Sequence, residues 1–448
     1  MDPKTFQKCW PAASLNQFTL RVGVAALLAI LVFPPTGQAQ ESGAAPPVAP
    51  KTVAELLKRM EYLEARVNQL ETKLNGTMVN TTPPVRIAVP SPVDVSALTA
   101  STDSTNAPVA QGPQSESPAT GVKLRIFGDV GYEVSDQKRK PSSFHIGSLD
   151  LFMTGSLSDR VSILGEVLFI PQPDNSITPD VERLLLQYKH NDYFTFAIGR
   201  YHSSIGYYNT AFHHGAWFQT AITRPFMYAF DDHGGFLPLQ EVGVTTSGQI
   251  PSGQLGLNYV AEIGNGRAHL LGADPAQNTQ DENNGKSVNL ALFARPSWIP
   301  GLQAGVSIYH DNLTFSNNRN HSELISTLHL VFTNSKYEFL NEAMLVRHAR
   351  TKTGAPGVFH TTGFYSQVSR QFGKYRPYFR YAYVNAGVND PIYGNPADGA
   401  VVGRRNGPTL GLRFDFNNHA AVKLQYDRLD RRRRKTVNGL EAQFSFAF

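Results

Sequence analysis

Alternation of apolar and polar residues is clearest at the end of the chain. Between Leu440 and Phe448, Leu440, Ala442, Phe444, Phe446 and Phe448 interleave with Glu441, Gln443, Ser445 and Ala447. This is the period-two pattern of a strand with one apolar and one polar face. In a soluble sheet, a face with three phenylalanines needs a second layer over it. In a membrane barrel that face meets lipid and the polar one meets the lumen. The pattern recurs upstream, where Leu410, Leu412, Phe414 and Phe416 alternate with Gly411, Arg413 and Asp415, and Val422, Leu424 and Tyr426 with Lys423, Gln425 and Asp427. Followed to the front, it predicts sixteen strands near 122–133, 144–156, 160–170, 180–189, 192–202, 239–249, 252–264, 285–296, 301–311, 322–333, 336–348, 358–371, 375–386, 406–416, 420–430 and 436–448.

The connections supply an independent check. Short turns at 156–159, 190–192, 250–252, 296–300, 334–336, 372–374 and 417–419 interleave with loops near 134–143, 171–179, 203–238, 265–284, 312–321, 349–357, 387–405 and 431–435. Short turns on one side and longer loops on the other are the habit of transmembrane barrels. An even strand number returns both ends of the barrel to the same side. Tyr337, Tyr375, Tyr378, Phe379, Tyr381, Tyr383 and Tyr426 fall near predicted strand ends, as interfacial girdles require. A soluble propeller would show a repeat of about 40 residues, which the chain lacks. The fold class expected is therefore all-β: a transmembrane antiparallel barrel of about sixteen strands over 121–448, preceded by a helical segment.

In that preceding part the period changes. Val53, Leu56, Met60, Leu63, Val67, Leu70 and Leu74 recur in steps of three and four, an a/d seam of about three heptads. Thr52 and Glu55 form a capping box, and Asn75-Gly76 stops the helix. Arg59 and Arg66 fall at g positions and Glu64 and Glu71 at the following e positions. Arg59, Met60, Leu63 and Glu64, then Arg66, Val67, Leu70 and Glu71, resemble the arginine, apolar, glutamate motif of short three-stranded coiled coils. That resemblance implies that residues 51–76 trimerise. Residues 77–120, rich in Pro, Ser, Thr, Ala and Val, lack either period and read as a disordered linker, with a reach of about 35 to 40 Å as a flexible coil.

Before it, Lys4, Lys8 and Arg21 lead into an apolar run from Val22 to Phe33, followed by Gly37-Gln38-Ala39. This is the pattern of a secretory signal covering 1–39; the run is too short to span a bilayer. The single cysteine, Cys9, lies within that leader, so the remainder can form neither disulfide nor thiolate metal site. A final Phe after an amphipathic strand resembles the terminal signal of bacterial outer-membrane proteins.

Net charge is +5 with the basic residues dispersed, a poor match to nucleic-acid binding. Alternation sends Arg125, Arg200, Arg380 and Arg413 to the lumen together with many carboxylates. The long third loop, about His202 to Leu237, holds Trp217, Arg224-Pro225-Phe226 and Asp231-Asp232-His233. The histidines and aspartates of this loop match no metal spacing, and no cofactor motif is present. From Lys123 to Phe448 the architecture resembles trimeric porins, and Gly199 to Val244 is most similar to the phosphate-selective class and its coiled-coil-bearing dicarboxylate relatives. The resemblance carries over no individual substrate contact.

It implies a homotrimeric, non-enzymatic outer-membrane channel whose third loop narrows the pore. From the residues themselves, Arg200, Arg224, Asp231, Asp232 and His233, with Arg125, Arg380 and Arg413, are candidates for the pore lining or constriction, and Arg200 at the base of the loop with Arg224 within it would favour a small anion such as phosphate or a dicarboxylate. The stalk would lie in the periplasm, in reach of peptidoglycan. Two other readings stand beside it: an outer-membrane hydrolase using His202-Ser203 or His310-Asp311, and a barrel anchor whose stalk tethers the cell wall. Arg431 to Arg434 and Lys435 in the last loop suit either gathering of anionic solutes or binding to phosphates of the outer-leaflet lipopolysaccharide.

Overall fold

The computed structural model describes residues 121–448 apart from 173, 213–214, 231–234, 268–278, 282, 315–319, 351–356, 388, 391 and 394–401. The leader, coiled coil and linker expected before residue 121 lie outside the described residues. Sixteen strands form: β1 Val122–Ser135, β2 Ser143–Ser156, β3 Val161–Pro171, β4 Ile177–Asn191, β5 Phe194–His202, β6 Gln240–Ile250, β7 Leu257–Gly264, β8 Ser287–Ala294, β9 Leu302–Thr314, β10 Asn320–Thr333, β11 Tyr337–Arg350, β12 Val358–Arg370, β13 Tyr375–Asn385, β14 Arg404–Asp415, β15 Ala420–Arg431 and β16 Val437–Ala447. Each pairs antiparallel with its neighbours, and β1 pairs with β16, so the sheet closes. At the seam Ile126 and Phe448 exchange backbone hydrogen bonds of 2.7 and 3.0 Å. Closure leaves no unpaired edge, the condition for a sheet to lie in hydrocarbon. Among the described residues, no helix is long and apolar enough to cross a membrane.

The largest boundary differences are local. β7 begins at Leu257 rather than 252 because Gly253–Leu255 form a 3₁₀ turn. β8 stops at Ala294, just short of Pro296, which has no N–H for the ladder.

The outer wall follows the predicted alternation. Leu184, Ile198, Leu290, Ile308, Leu345, Leu410, Leu424 and Leu440 are all exposed, and an apolar girdle of this extent is far beyond what a soluble surface leaves to water. The inner wall departs from it. The inward set on β9 to β13 includes Tyr309, Leu313, Ile325, Val331, Leu340, Met344, Val346, Tyr365, Ala382 and Val384, all buried. The expected uniformly polar lumen is therefore corrected on this half of the wall, where an apolar face meets protein instead of water. Tyr378 is also corrected: it is buried with the inward set rather than in a girdle, and its hydroxyl donates to Gln425 Oε1 at 2.9 Å. In β4 the register shifts between Glu166 and Val167, leaving Glu182 as an extra residue beside Arg183, and both are buried.

Candidate functional site

The connection between β5 and β6, Ser203 to Leu239, folds into the barrel. It holds a short helix, Tyr208–Ala211, and 3₁₀ turns at Ala216–Phe218 and Phe226–Tyr228. Ile205, Tyr207, Tyr208, Met227, Tyr228, Phe236, Leu237 and Leu239 pack against the apolar inner wall of β9 to β13 as one core. Each large apolar side chain removed from water contributes roughly 1.5 to 3 kcal/mol, which offsets part of the entropy lost in ordering a long loop. This packing explains why those wall positions are apolar.

Polar groups of both signs then fix the loop. Wall carboxylates accept its N–H groups: Glu262 (β7) takes that of Ser204 at 3.1 Å, and Glu342 (β11) takes those of Tyr207 at 2.6 Å and Tyr208 at 2.9 Å. Glu342 also accepts the hydroxyls of Tyr228 and Tyr365 at 2.8 and 2.7 Å. Wall cations donate to its carbonyls. Arg380 (β13) bonds Thr223 O at 2.6 Å, Arg413 (β14) bonds Trp217 O and Gln219 O at 2.6 and 3.1 Å, and Lys423 (β15) bonds Ala216 O at 2.5 Å. Gly206 has φ +75°, and a Cβ there would strike the Tyr228 hydroxyl and Glu342, so the tie at Glu342 needs glycine at this position. Charge-assisted bonds in a buried setting are stronger than neutral ones and costly to leave half made.

The expected constriction residues are placed as follows. Arg224 is drawn into the loop itself: its guanidinium donates to Tyr228 O at 2.6 Å and Phe212 O at 2.7 Å and lies over the Phe230 ring at 4.1 Å. Burial lowers its pKa, opposed by the nearby Tyr208. Arg380 and Arg413 serve as clamps that donate to the loop, and Arg413 Nε also pairs with Asp415 at 2.7 Å. Arg200 bonds Gln240 Oε1 at 2.5 Å and lies 3.6 Å from Asp180. Arg125 pairs with Phe152, a buried residue of the inward series, and is itself exposed near the short-turn end. Asp231, Asp232 and His233 lie outside the described residues, as do His213 and His214. Glu342, on which four donors meet, carries the most of the arrangement, and Glu262 and Lys423 add ties of their own beside those of Arg380 and Arg413. The signal for Glu342 is an inward charge between apolar inward positions, Leu340 and Met344, whereas Lys423 stands beside the polar inward residues Gln425 and Asp427.

The members of the two hydrolase pairs each have other partners. The Ser203 hydroxyl is buried and donates to Pro238 O at 2.5 Å, whereas His202 faces Glu182 at 2.9 Å. His310 contacts the backbone carbonyl of Glu323 at 2.9 Å, and Asp311 accepts the N–H of Arg267 at 3.0 Å.

Beneath the loop, toward the short-turn end, lie two adjoining cavities of about 130 and 140 Å³. They share Thr195, Ser204, Thr210 and Ser247, and Lys123 and Arg295 line one each. Above the loop, Arg267 donates to Phe236 O at 2.5 Å and lies 3.4 Å from Glu323. His348 bridges Glu323 at 2.7 Å and Asp390 at 2.8 Å. This buried set joins the third loop to the β13–β14 connection.

The fold is shared with a known bacterial outer-membrane channel. It is similar to the outer-membrane channel DcaP of Acinetobacter baumannii, with a TM-score of 0.53 and 12% identity over 74% of this chain and 99% of that one. It also resembles OmpF of Salmonella typhi, determined in complex with daunomycin, with a TM-score of 0.49 and 10% identity over 73% and 98%. No family model and no curated relative matches the sequence.

Proposed function

We propose that this chain is a passive channel of the bacterial outer membrane for small hydrophilic solutes, with a preference for anions such as phosphate or dicarboxylates. The observation that carries this reading is the third loop, folded inside a closed barrel with an apolar outer girdle and clamped to the wall by Glu342, Arg380, Arg413 and Lys423. A loop so fixed narrows a passage permanently without sealing the sheet. Selectivity then falls to charges that face open space below the loop. There Lys123 and Arg125 are exposed, and Arg295, which donates to Gln303 Oε1 at 2.9 Å, lines the second cavity. Glu262 also lines that space but is engaged by Ser204 and Asn289. Exposed Lys123 and Arg125 on that path favour anions.

The leader, the stalk at 51–76 and the homotrimer belong to the same proposal. So do contact with outer-leaflet lipopolysaccharide and reach to peptidoglycan. The test is the reversal potential of purified full-length protein in a planar bilayer across a potassium chloride gradient, then with phosphate or succinate added. Conductance in steps of three with an anion-selective potential supports the reading; absence of conductance overturns it.

A further inference from the structure

Above the third loop, a histidine is held between two carboxylates. Nε2 of His348 (β11) lies 2.7 Å from Glu323 on β10, and Nδ1 lies 2.8 Å from Asp390 of the β13–β14 connection. All three side chains are shut off from water. Both carboxylates are acceptors for other groups as well. Glu323 takes Arg267 Nη1 at 3.4 Å and the Tyr393 hydroxyl at 3.2 Å, and Asp390 takes the N–H groups of Ile392 and Tyr393 at 2.9 and 3.0 Å. A neutral imidazole has one N–H and could serve only one carboxylate; the imidazolium has two and serves both.

The groups around His348 make that proton matter. Arg267 comes from the β7–β8 connection, its guanidinium carbon 5.6 Å from the centre of the Tyr393 ring, and Asp311 on β9 accepts its backbone N–H. Arg350 and its register partner His321 are next along the inward face, and on β12 the partner of His348 is uncharged Phe359. At the centre of the set, Arg267 and the imidazolium face the buried carboxylates of Asp311, Glu323 and Asp390. Without the imidazole proton, Arg267 faces the three alone, and a buried charge stripped of its partner is strongly unfavourable.

What this tie holds is a strap across the third loop. Ala386, Ile392, Tyr393 and Val402 of the β13–β14 connection are buried in one core with Phe236 and Leu237. The Tyr393 ring meets Phe236 edge-on at 5.1 Å, and its hydroxyl lies 3.2 Å from Phe236 O.

We propose that His348 is a proton-operated latch: as the imidazolium it pins the stretch 386–393 over the third loop, and loss of its proton releases that stretch toward the long-loop side. In the released state the imidazole meets water, where histidine gives up its proton near neutrality. The latched state keeps the proton. The latch is therefore at full strength below that range and weakens as pH rises above it, the released fraction growing by up to about tenfold per pH unit. The latch requires the barrel alone and is independent of conduction.

The experiment is subtilisin digestion of the full-length protein in detergent micelles at about pH 7.5 and about pH 9.5, with protease matched for activity on a short peptide and the cuts located by mass spectrometry. Cutting of wild-type protein within 386–393 is expected to be about tenfold faster, or more, at the higher pH, a comparison that needs no variant. His348→Gln, which is uncharged and donates from one side only, should be cut quickly at both. Equal rates in wild-type protein overturn the proposal. So does a rise with pH that persists in His348→Gln, which would put the titrating group elsewhere. Single-channel recordings on the same wild-type sample keep the two readings apart: a latch that opens in a barrel that conducts nothing sinks the channel reading and leaves the latch standing.

Discussion

The Glu342 carboxylate accepts the backbone N–H of Tyr207 at 2.6 Å, from a position 135 residues further along the chain. Together with Tyr208, Tyr228 and Tyr365, four donors meet on this one side chain. Removing it strands them in a buried setting. Glu342→Ala is expected to cost about 3 kcal/mol or more, seen as an earlier urea midpoint in micelles, and to give larger, noisier single-channel currents. Wild-type conductance in that variant would mean that this tie does not set the aperture.

Arg413 spans two carbonyls of the loop while its ring neighbour is Trp217, 5.5 Å from the guanidinium carbon. A lysine cannot reproduce the planar fork. In a Trp298→Phe background, Arg413→Lys should shift the Trp217 emission to the red and destabilise the protein by about 1 to 2 kcal/mol. Unchanged emission would show that the loop segment at 216–219 is held by other contacts.

The β13–β14 connection is docked through Asp390. Burial alone would raise its pKa, but bonds from His348 and from the N–H groups of Ile392 and Tyr393 hold it below the ordinary aspartate value of 3.8. Because the folded value is depressed, the undocked segment takes up the proton first. The stabilisation is complete above that ordinary value and is lost as pH falls through the lower, folded one. Pepsin should therefore cut within 386–393 at about pH 2 but not at about pH 5, and Asp390→Asn should be cut at both. Equal cutting of wild-type protein at the two values would refute the tie.

Lys123 and Arg125 are exposed on the short-turn side and remote from the clamps. Their joint replacement by Gln is expected to move the reversal potential toward zero, by several millivolts in a tenfold salt gradient, with no change in the unfolding midpoint. A potential that does not move would return selectivity to the loop.

The girdle and the turns were legible because lipid imposes a strict period of two on the outer face, and Leu440 to Phe448 shows it without interruption. The inner face obeys no such rule. Leu340, Met344 and Val346 alternate inward with Glu342 and His348, so β11 is apolar on both sides and its orientation cannot be read from period alone. Arg380 and Arg413 were legible as inward charges, but that their partners are carbonyls of a loop 157 and 194 residues earlier is a tertiary fact. Arg224 misled for the same reason: a charged residue in a polar-looking loop lies between Tyr208 and Phe230, within a core that forms only when the loop is inside. The extra residue at Glu182 shifts the phase of β4 without leaving a mark in composition.

The long sequence separations of the clamps also carry a consequence for the order of events. Lys423 and Gln425 hold Ala216 and Ile222 across separations of 207 and 203 residues, so these ties can form only once the last strands exist, after Glu262 and Glu342 are available to hold the start of the loop. Contacts this remote are slow to form because chain closure comes before any reward. The segment at 216–222 is thus the last part of the loop that the wall can secure.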